Sequence, residues 1–193
     1  MSEATPSEPL PPGSLLLAAP SMLDPNFMHA VVLMCDHDEA GAYGLIVNRP
    51  TAIGLGQLLS DHPLADQLVL PVHEGGPVGR DRLQFLHRRA ELAEDAIALA
   101  PGVFLGGAVE ELIDGLVLDR FGEQDLRVVV GYAGWGAGQL DAELAEGSWL
   151  LAAGTPELVF EAPPREGAWR RALRTLGPAA GAAEHLPPDP SWN

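Results

Sequence analysis

Cys35 and His37 stand two residues apart in the strand-like run 30–36 and its continuation. Alternation along a strand places such a pair on one face. A thiol beside an imidazole can form a thiolate–imidazolium couple able to attack a thioester, amide or peroxide. Joined by His29, His73 or His87, the same pair would resemble a metal site. Against this, the paired-cysteine spacings of structural zinc sites are missing, and a lone Cys or His more often packs or faces solvent. Cys35 and His37 are therefore the catalytic candidates, with no metal and no cofactor expected.

A second constellation is the glycine-rich segment 131–139, GYAGWGAGQ. It follows an apolar run and precedes a helical pattern, the setting in which backbone amides and a helix N-terminus hold an anion. It is neither G-x-G-x-x-G nor a P-loop. The alternative is structural, with Gly131, Gly134, Gly136 and Gly138 allowing tight turning and close packing around Trp135.

Two further polar loops follow apolar runs: Glu74-Gly75-Gly76-Pro77-Val78, with Arg80, Asp81 and Arg82 beyond it, and Asn48-Arg49-Pro50-Thr51. Asp24-Pro25-Asn26-Phe27 is a turn signal. If these loops converge at one end of a sheet they line a cleft, the usual place for a ligand. The ligand-binding candidates are then Asn26, Asn48, Arg49, Gly75, Gly76, Trp135, Gly136, Gly138 and Gln139. No G-x-S-x-G elbow, H-E-x-x-H helix or kinase signature is present.

The elements that must position these residues are mostly short. Strands are expected at residues 14–18, 30–36, 43–48, 83–87, 96–100 and 126–132, where β-branched and aliphatic runs alternate with Gly and Pro. Helices are expected at about 136–145, with Ala137, Leu140 and Leu144 on one face. Another is expected at 166–176, with Trp169, Ala172, Leu173 and Leu176 on one face and Pro178 as its stop. Shorter helical turns fit 54–59 and 108–114, the latter closed by Gly115. The early strands follow one another too closely for crossover helices, so antiparallel pairing and an α+β fold are expected. There is no internal repeat.

At 193 residues and 47% hydrophobic, the chain supports one sizeable core. Residues 13–176 are expected to form a single domain, between a disordered arm at 1–12 and a Pro/Ala-rich tail at 177–193 on which Trp192 could dock. The formal net charge of -16 repels phosphate backbones and anionic lipid. Direct nucleic-acid binding is therefore not expected, nor is a helix-turn-helix visible. Arg165, Arg170, Arg171 and Arg174 are expected to be a solvated helix face. The single cysteine favours a reducing compartment, no export signal is visible and no run can span a bilayer as a helix, so a cytoplasmic location is expected.

Four blocks, GSLLLAAPSMLDPNF, HAVVLMCDHDEAGAYGLIVNRPT, VHEGGPVGRDRLQFLH and VVVGYAGWGAGQLDAELAEGSWL, resemble the AlgH/YqgE family of bacterial proteins in order and spacing. The likeness runs from residue 13 to residue 151. It implies an α+β domain whose bifurcated, mixed to antiparallel sheet curls into a small barrel surrounded by helices. Matching positions are Asp24, Asn26, Phe27, Cys35, His37, Asn48, Arg49, Pro50, Gly75, Gly76, Pro77 and residues 131–139. The resemblance assigns none of them a catalytic role. The family has been labelled both uncharacterised and a transcriptional regulator. With no catalytic signature in the chain, a regulatory or adaptor protein that binds a small ligand or protein partner in a loop-lined cleft is the leading expectation. A direct transcriptional regulator and a Cys35/His37-dependent enzyme are the alternatives. The longer Pro-rich arm and the Arg-rich and Ala/Pro-rich end depart from the family pattern.

Overall fold

A computed structural model describes residues 8–161 and 166–181. The first three strands, β1 (Ser14–Ala18), β2 (Val31–Asp38) and β3 (Gly41–Ile46), form an antiparallel meander. A short strand β4 (Pro50–Gly54) leads into a one-turn helix α1 (Leu55–Leu58). Then come β5 (Pro71–Glu74), the long β6 (Val78–His87), and the hairpin of β7 (Ala96–Ala100) and β8 (Val103–Gly106). Helix α2 (Val109–Val117) returns the chain to β9 (Leu126–Gly136). Helix α3 (Gln139–Ala145), β10 (Trp149–Ala153), α4 (Pro156–Phe160), α5 (Glu166–Arg174) and α6 (Pro178–Gly181) complete the described residues.

The fold is α+β, with a sheet that curls into a half-barrel. Its strand order is β10-β1-β2-β3-β9-β6-β8-β7, and β9 is the branch point. The C-terminal half of β9 pairs with β3 at Ala133 to Gly136, whereas Val128 to Val130 pair in parallel with β5, and β4 pairs with β5. The antiparallel start and the bifurcation both agree with expectation.

Period-two alternation explains how one meander serves two cores. Leu15, Leu17, Val31, Leu33, Leu45 and Val47 point to one face, where Leu158, Val159, Phe160, Trp169 and Leu173 of α4 and α5 cover them. Leu16, Val32, Met34 and Ile46 point to the other, under Trp135, Leu140 and Trp149. A third cluster joins Val72, Phe85 and Val128 to Leu55, Leu112 and Ile113 beneath α1 and α2. Trp169 anchors α5 by donating its indole N–H to the Ala18 carbonyl at 2.7 Å.

Several sequence expectations need correcting. Strands β4, β5, β8 and β10 were not anticipated; each has only four or five residues and shows little period of its own. Strand β9 continues through Gly136, so helix α3 starts at Gln139 rather than at 136. Helix α2 passes through Gly115 to Val117, because that glycine makes room for the Phe121 ring rather than ending the helix. Helix α5 ends at Arg174, leaving Leu176 exposed, and Pro178 begins α6 within the expected tail. At the other end, the Leu10 N–H donates to His37 Nδ1 at 3.0 Å and Leu10 packs beside the Trp135 cluster. Residues 1–7 of the expected arm, Arg165, and residues 182–193 with Trp192 lie outside the described residues.

Candidate functional site

Asn48 follows β3 and is 2% exposed, so its amide must be satisfied internally. It is: Oδ1 accepts from the Val31 N–H and Nδ2 donates to the His29 carbonyl, both at 2.9 Å. Arg49 reaches the same turn from the next position. Its Nη1 donates to the Asn26 carbonyl at 2.5 Å and its Nη2 to the Met28 carbonyl at 3.0 Å. Within the turn, Asp24 Oδ1 accepts from the Asn26 N–H at 2.8 Å, and His29 adopts φ 56° with its ring 4.4 Å from Trp169. A non-glycine residue held at positive φ is uncommon and depends on this support.

Two clefts meet at Asn48. One, of about 390 Å³, is lined by Pro25, Met28, His29, Asn48, Arg49, Glu74 and Glu166. The second, of about 380 Å³, involves Asn48, Pro50, His73, Arg127, Phe160 and the acidic rim of Glu123 and Glu161. A hollow at α1, about 510 Å³, is larger, but its lining from Gly54 to Val69 contains no buried charged or imidazole group. The clefts at Asn48 are chemically the richer.

Arg127 was missed from the sequence, and His73 entered there only as a candidate metal partner of Cys35 and His37. Parallel pairing of β5 with β9 matches His73 to Val129, and alternation along β9 puts Arg127 on that same face. Arg127 is only 7% exposed. Its Nη1 donates to the Val47 carbonyl and its Nη2 to the Phe160 carbonyl at 3.2 Å, at the C-terminus of α4. Burial lowers its pKa to about 10, partly opposed by Glu123, so it stays charged at neutral pH. His73 is 6% exposed, and its Nδ1 has no hydrogen-bond partner among the described residues. Burial first, then the Arg127 charge, push its pKa down to about 3 against the pull of the Pro71 carbonyl, leaving a neutral ring. An arginine opening the apolar run Leu126 to Val130 was the available signal.

Of the sequence candidates, Asn26, Asn48 and Arg49 come together. Gly75 and Gly76 follow cleft-lining Glu74 but are buried against β9: a Cβ on Gly76 would lie 2.2 Å from the Tyr132 backbone, and one on Gly75 2.4 Å from the Gly131 carbonyl oxygen. They are glycines because two backbones touch. Trp135, Gly136, Gly138 and Gln139 gather instead at the junction of β9 and α3. There the Trp135 and Trp149 indoles donate to Glu143 Oε2 at 2.9 and 2.7 Å, while Gln139 Oε1 accepts from the Gly136 N–H at 3.1 Å. Phe27, 6.1 Å from Trp135 between ring centroids, links this cluster to the underside of the Asn26 turn. The anticipated anion loop is not formed, since residues 131–136 are strand.

Nor do Cys35 and His37 form a couple. The register slips between Met34 and Asp36, leaving Cys35 as the extra residue of a β-bulge. Cys35 packs with Leu33 and Tyr43 in the core under α5, whereas His37 pairs in register with Ala42 on the opposite face. There its Nε2 lies 3.7 Å from Asp141 Oδ1. Burial, and secondarily Asp36, raises the Cys35 pKa to about 12. The described residues contain no group of three or more His, Cys, Asp or Glu arranged to hold a metal, and none of their helices is long and apolar enough to cross a membrane. Arg170 pairs with Glu166, and Arg171 donates to the Glu161 carbonyl at 3.3 Å, so this helix face also ties α5 to α4.

Comparison with known proteins agrees with this architecture. A family model described as AlgH-like matches residues 15–180. A UPF0301 protein from Chlorobaculum tepidum is 41% identical over 170 residues, covering 88% of this chain and 89% of its own. Another from Vibrio vulnificus is 37% identical, covering 84% and 89%. The solution structure of the AlgH protein from Pseudomonas aeruginosa superposes with a TM-score of 0.68 at 27% identity, covering 98% of this chain and all of that one. The crystal structure of a Corynebacterium diphtheriae protein gives 0.73 at 22% identity over 96% and 95%.

Proposed function

The chain belongs to the AlgH-like family, and we propose that it is a non-enzymatic binding module whose ligand or partner occupies the cleft pair around Asn48. The observation carrying this proposal is the junction of the two clefts at one buried asparagine, hydrogen-bonded through both its amide oxygen and its amide nitrogen, beside Arg49. Backbone rigidity there is supplied by side chains rather than by sheet pairing. Such preorganisation lowers the ordering cost of binding.

A regulatory or adaptor role follows from a preformed cleft without an activated nucleophile beside it. The net charge of -16 favours a small molecule or protein over nucleic acid as the occupant.

Native mass spectrometry of freshly purified protein, compared with its denatured mass, tests the proposal. An added mass that disappears on denaturation and is absent from a folded Arg49→Ala variant is the expected result. Equal retention by Arg49→Ala, or failure of both a small molecule and a captured protein to depend on Arg49, would overturn the cleft.

A further inference from the structure

Arg127 is a buried cation that takes part in no ion pair among the described residues: its hydrogen-bond acceptors are two neutral carbonyls, and the Glu123 carboxylate acts on it only from the exposed rim. Those carbonyls occupy two of the five N–H groups of a guanidinium. A buried charge hydrogen-bonded only to neutral carbonyls is under-compensated, and an anion entering beside it gains unusually strong interaction. His73 supplies a second, independent sign of an absent partner. It lines the same cleft, and its Nδ1 is buried with no hydrogen-bond partner among the described residues. As the Nδ1–H tautomer, it adds a neutral donor beside the cationic one.

The rim carries the opposite charge. Glu161 is committed to Arg88 at 2.5 Å, but Glu123 is exposed and forms no ion pair among the described residues. A cleft with a cationic floor and an anionic lip, in a chain of net charge -16, disfavours a phosphate or dicarboxylate and favours an occupant that carries both signs. We infer that this cleft takes a small amino acid or similar zwitterion, its carboxylate facing Arg127 and His73 and its ammonium facing Glu123. The inference rests on the cleft at Asn48 being the binding site and adds the chemistry of the occupant.

The test uses matched ligands that differ only in the amino group: L-alanine with propionate, and L-phenylalanine with 3-phenylpropionate. Binding is followed on the full chain through the ring nitrogens of 15N-labelled histidine. At least one amino acid should move the His73 signals, and its amino-free partner should bind about tenfold more weakly. Glu123→Gln, at an exposed position, should shrink that gap without altering the fold. Arg127→Met should abolish binding if it folds, and Glu123→Gln keeps the test decisive if it does not. Unmoved His73 signals, equal binding of the partners, or an unchanged gap in Glu123→Gln would overturn the inference. A copurified molecule of another class that depends on Arg49 would overturn only the ligand class; occupants retained equally by Arg49→Ala would remove the cleft itself.

Discussion

Cys35 and His37, two residues apart in one strand, face opposite sides of the sheet because Cys35 is the extra residue of a β-bulge. The thiol is consigned to an apolar core beside Tyr43, and the imidazole is held by the Leu10 amide near Asp141. Neither can activate the other.

With the Cys35 pKa raised to about 12, roughly one thiol in ten thousand is ionised at pH 8. Iodoacetamide should label the native protein at a small fraction of the rate seen in denaturant. Native labelling as fast as that of the unfolded chain would show that the thiol is accessible and activated.

Asn48→Ala removes the acceptor of the buried Val31 N–H and a donor to the half-buried His29 carbonyl. A loss of about 1 to 3 kcal/mol is expected, chiefly from the orphaned Val31 N–H. Urea unfolding measures it, and a loss near zero would mean that water or a rearranged turn replaces the amide.

Glu143→Gln retains one acceptor oxygen but removes the charge that receives both indoles, Trp135 and Trp149. Charge-assisted bonds are about twice as strong as neutral ones, so a destabilisation of about 1 to 2 kcal/mol with a shift in tryptophan emission is expected. Unchanged emission in the folded variant would count against the shared carboxylate.

His73 should make the protein acid-sensitive. Its folded pKa is depressed to about 3 from an ordinary 6.5, so between those values the unfolded chain binds the proton and the folded one does not. Stability therefore rises with pH through this window and is lost as pH falls, by up to roughly 1.4 kcal/mol per unit from this one group. His87, lowered in the same direction chiefly by burial, adds to the slope. Replacing His73 with Phe should flatten the dependence between about pH 3 and 6.5. An identical slope in that variant would assign the sensitivity elsewhere.

Gly115→Ala reverses the usual helix rule. Alanine gains about 1 kcal/mol over glycine in a helix interior, but here its Cβ would sit 2.1 Å from the Phe121 ring. Net destabilisation is expected in thermal melts; a raised melting temperature would show that Phe121 moves aside freely.

Strong local patterns survived the passage from sequence to fold. Residues 14–18 and 96–100 are strands with the anticipated bounds, since hydrophobic runs between Gly and Pro need no distant information. The segment at 131–136 was misjudged because glycine signals a turn when considered alone. In the folded chain those glycines allow β9 to lie against the Gly75–Gly76 backbone and around Tyr132. At the site, Asn48 and Arg49 were legible as polar residues ending an apolar run. Arg127 was not, and His73 was named only as a candidate metal partner of Cys35 and His37, because a lone histidine or a strand arginine gains its meaning from its neighbours.

The sequence by itself determined the α+β class, the antiparallel opening, the strong negative charge and the family blocks, all of which depend on residue type and short-range order. The tertiary structure alone decided which side of the sheet each group faces and what it meets there. One inserted residue at Cys35 reverses every later side chain relative to the earlier alternation. One parallel pairing, β5 on β9, brings His73 and Arg127 to a single face despite 53 intervening residues. Register and pairing are long-range choices, settled by the summed burial of many side chains, and no local pattern around either residue encodes them.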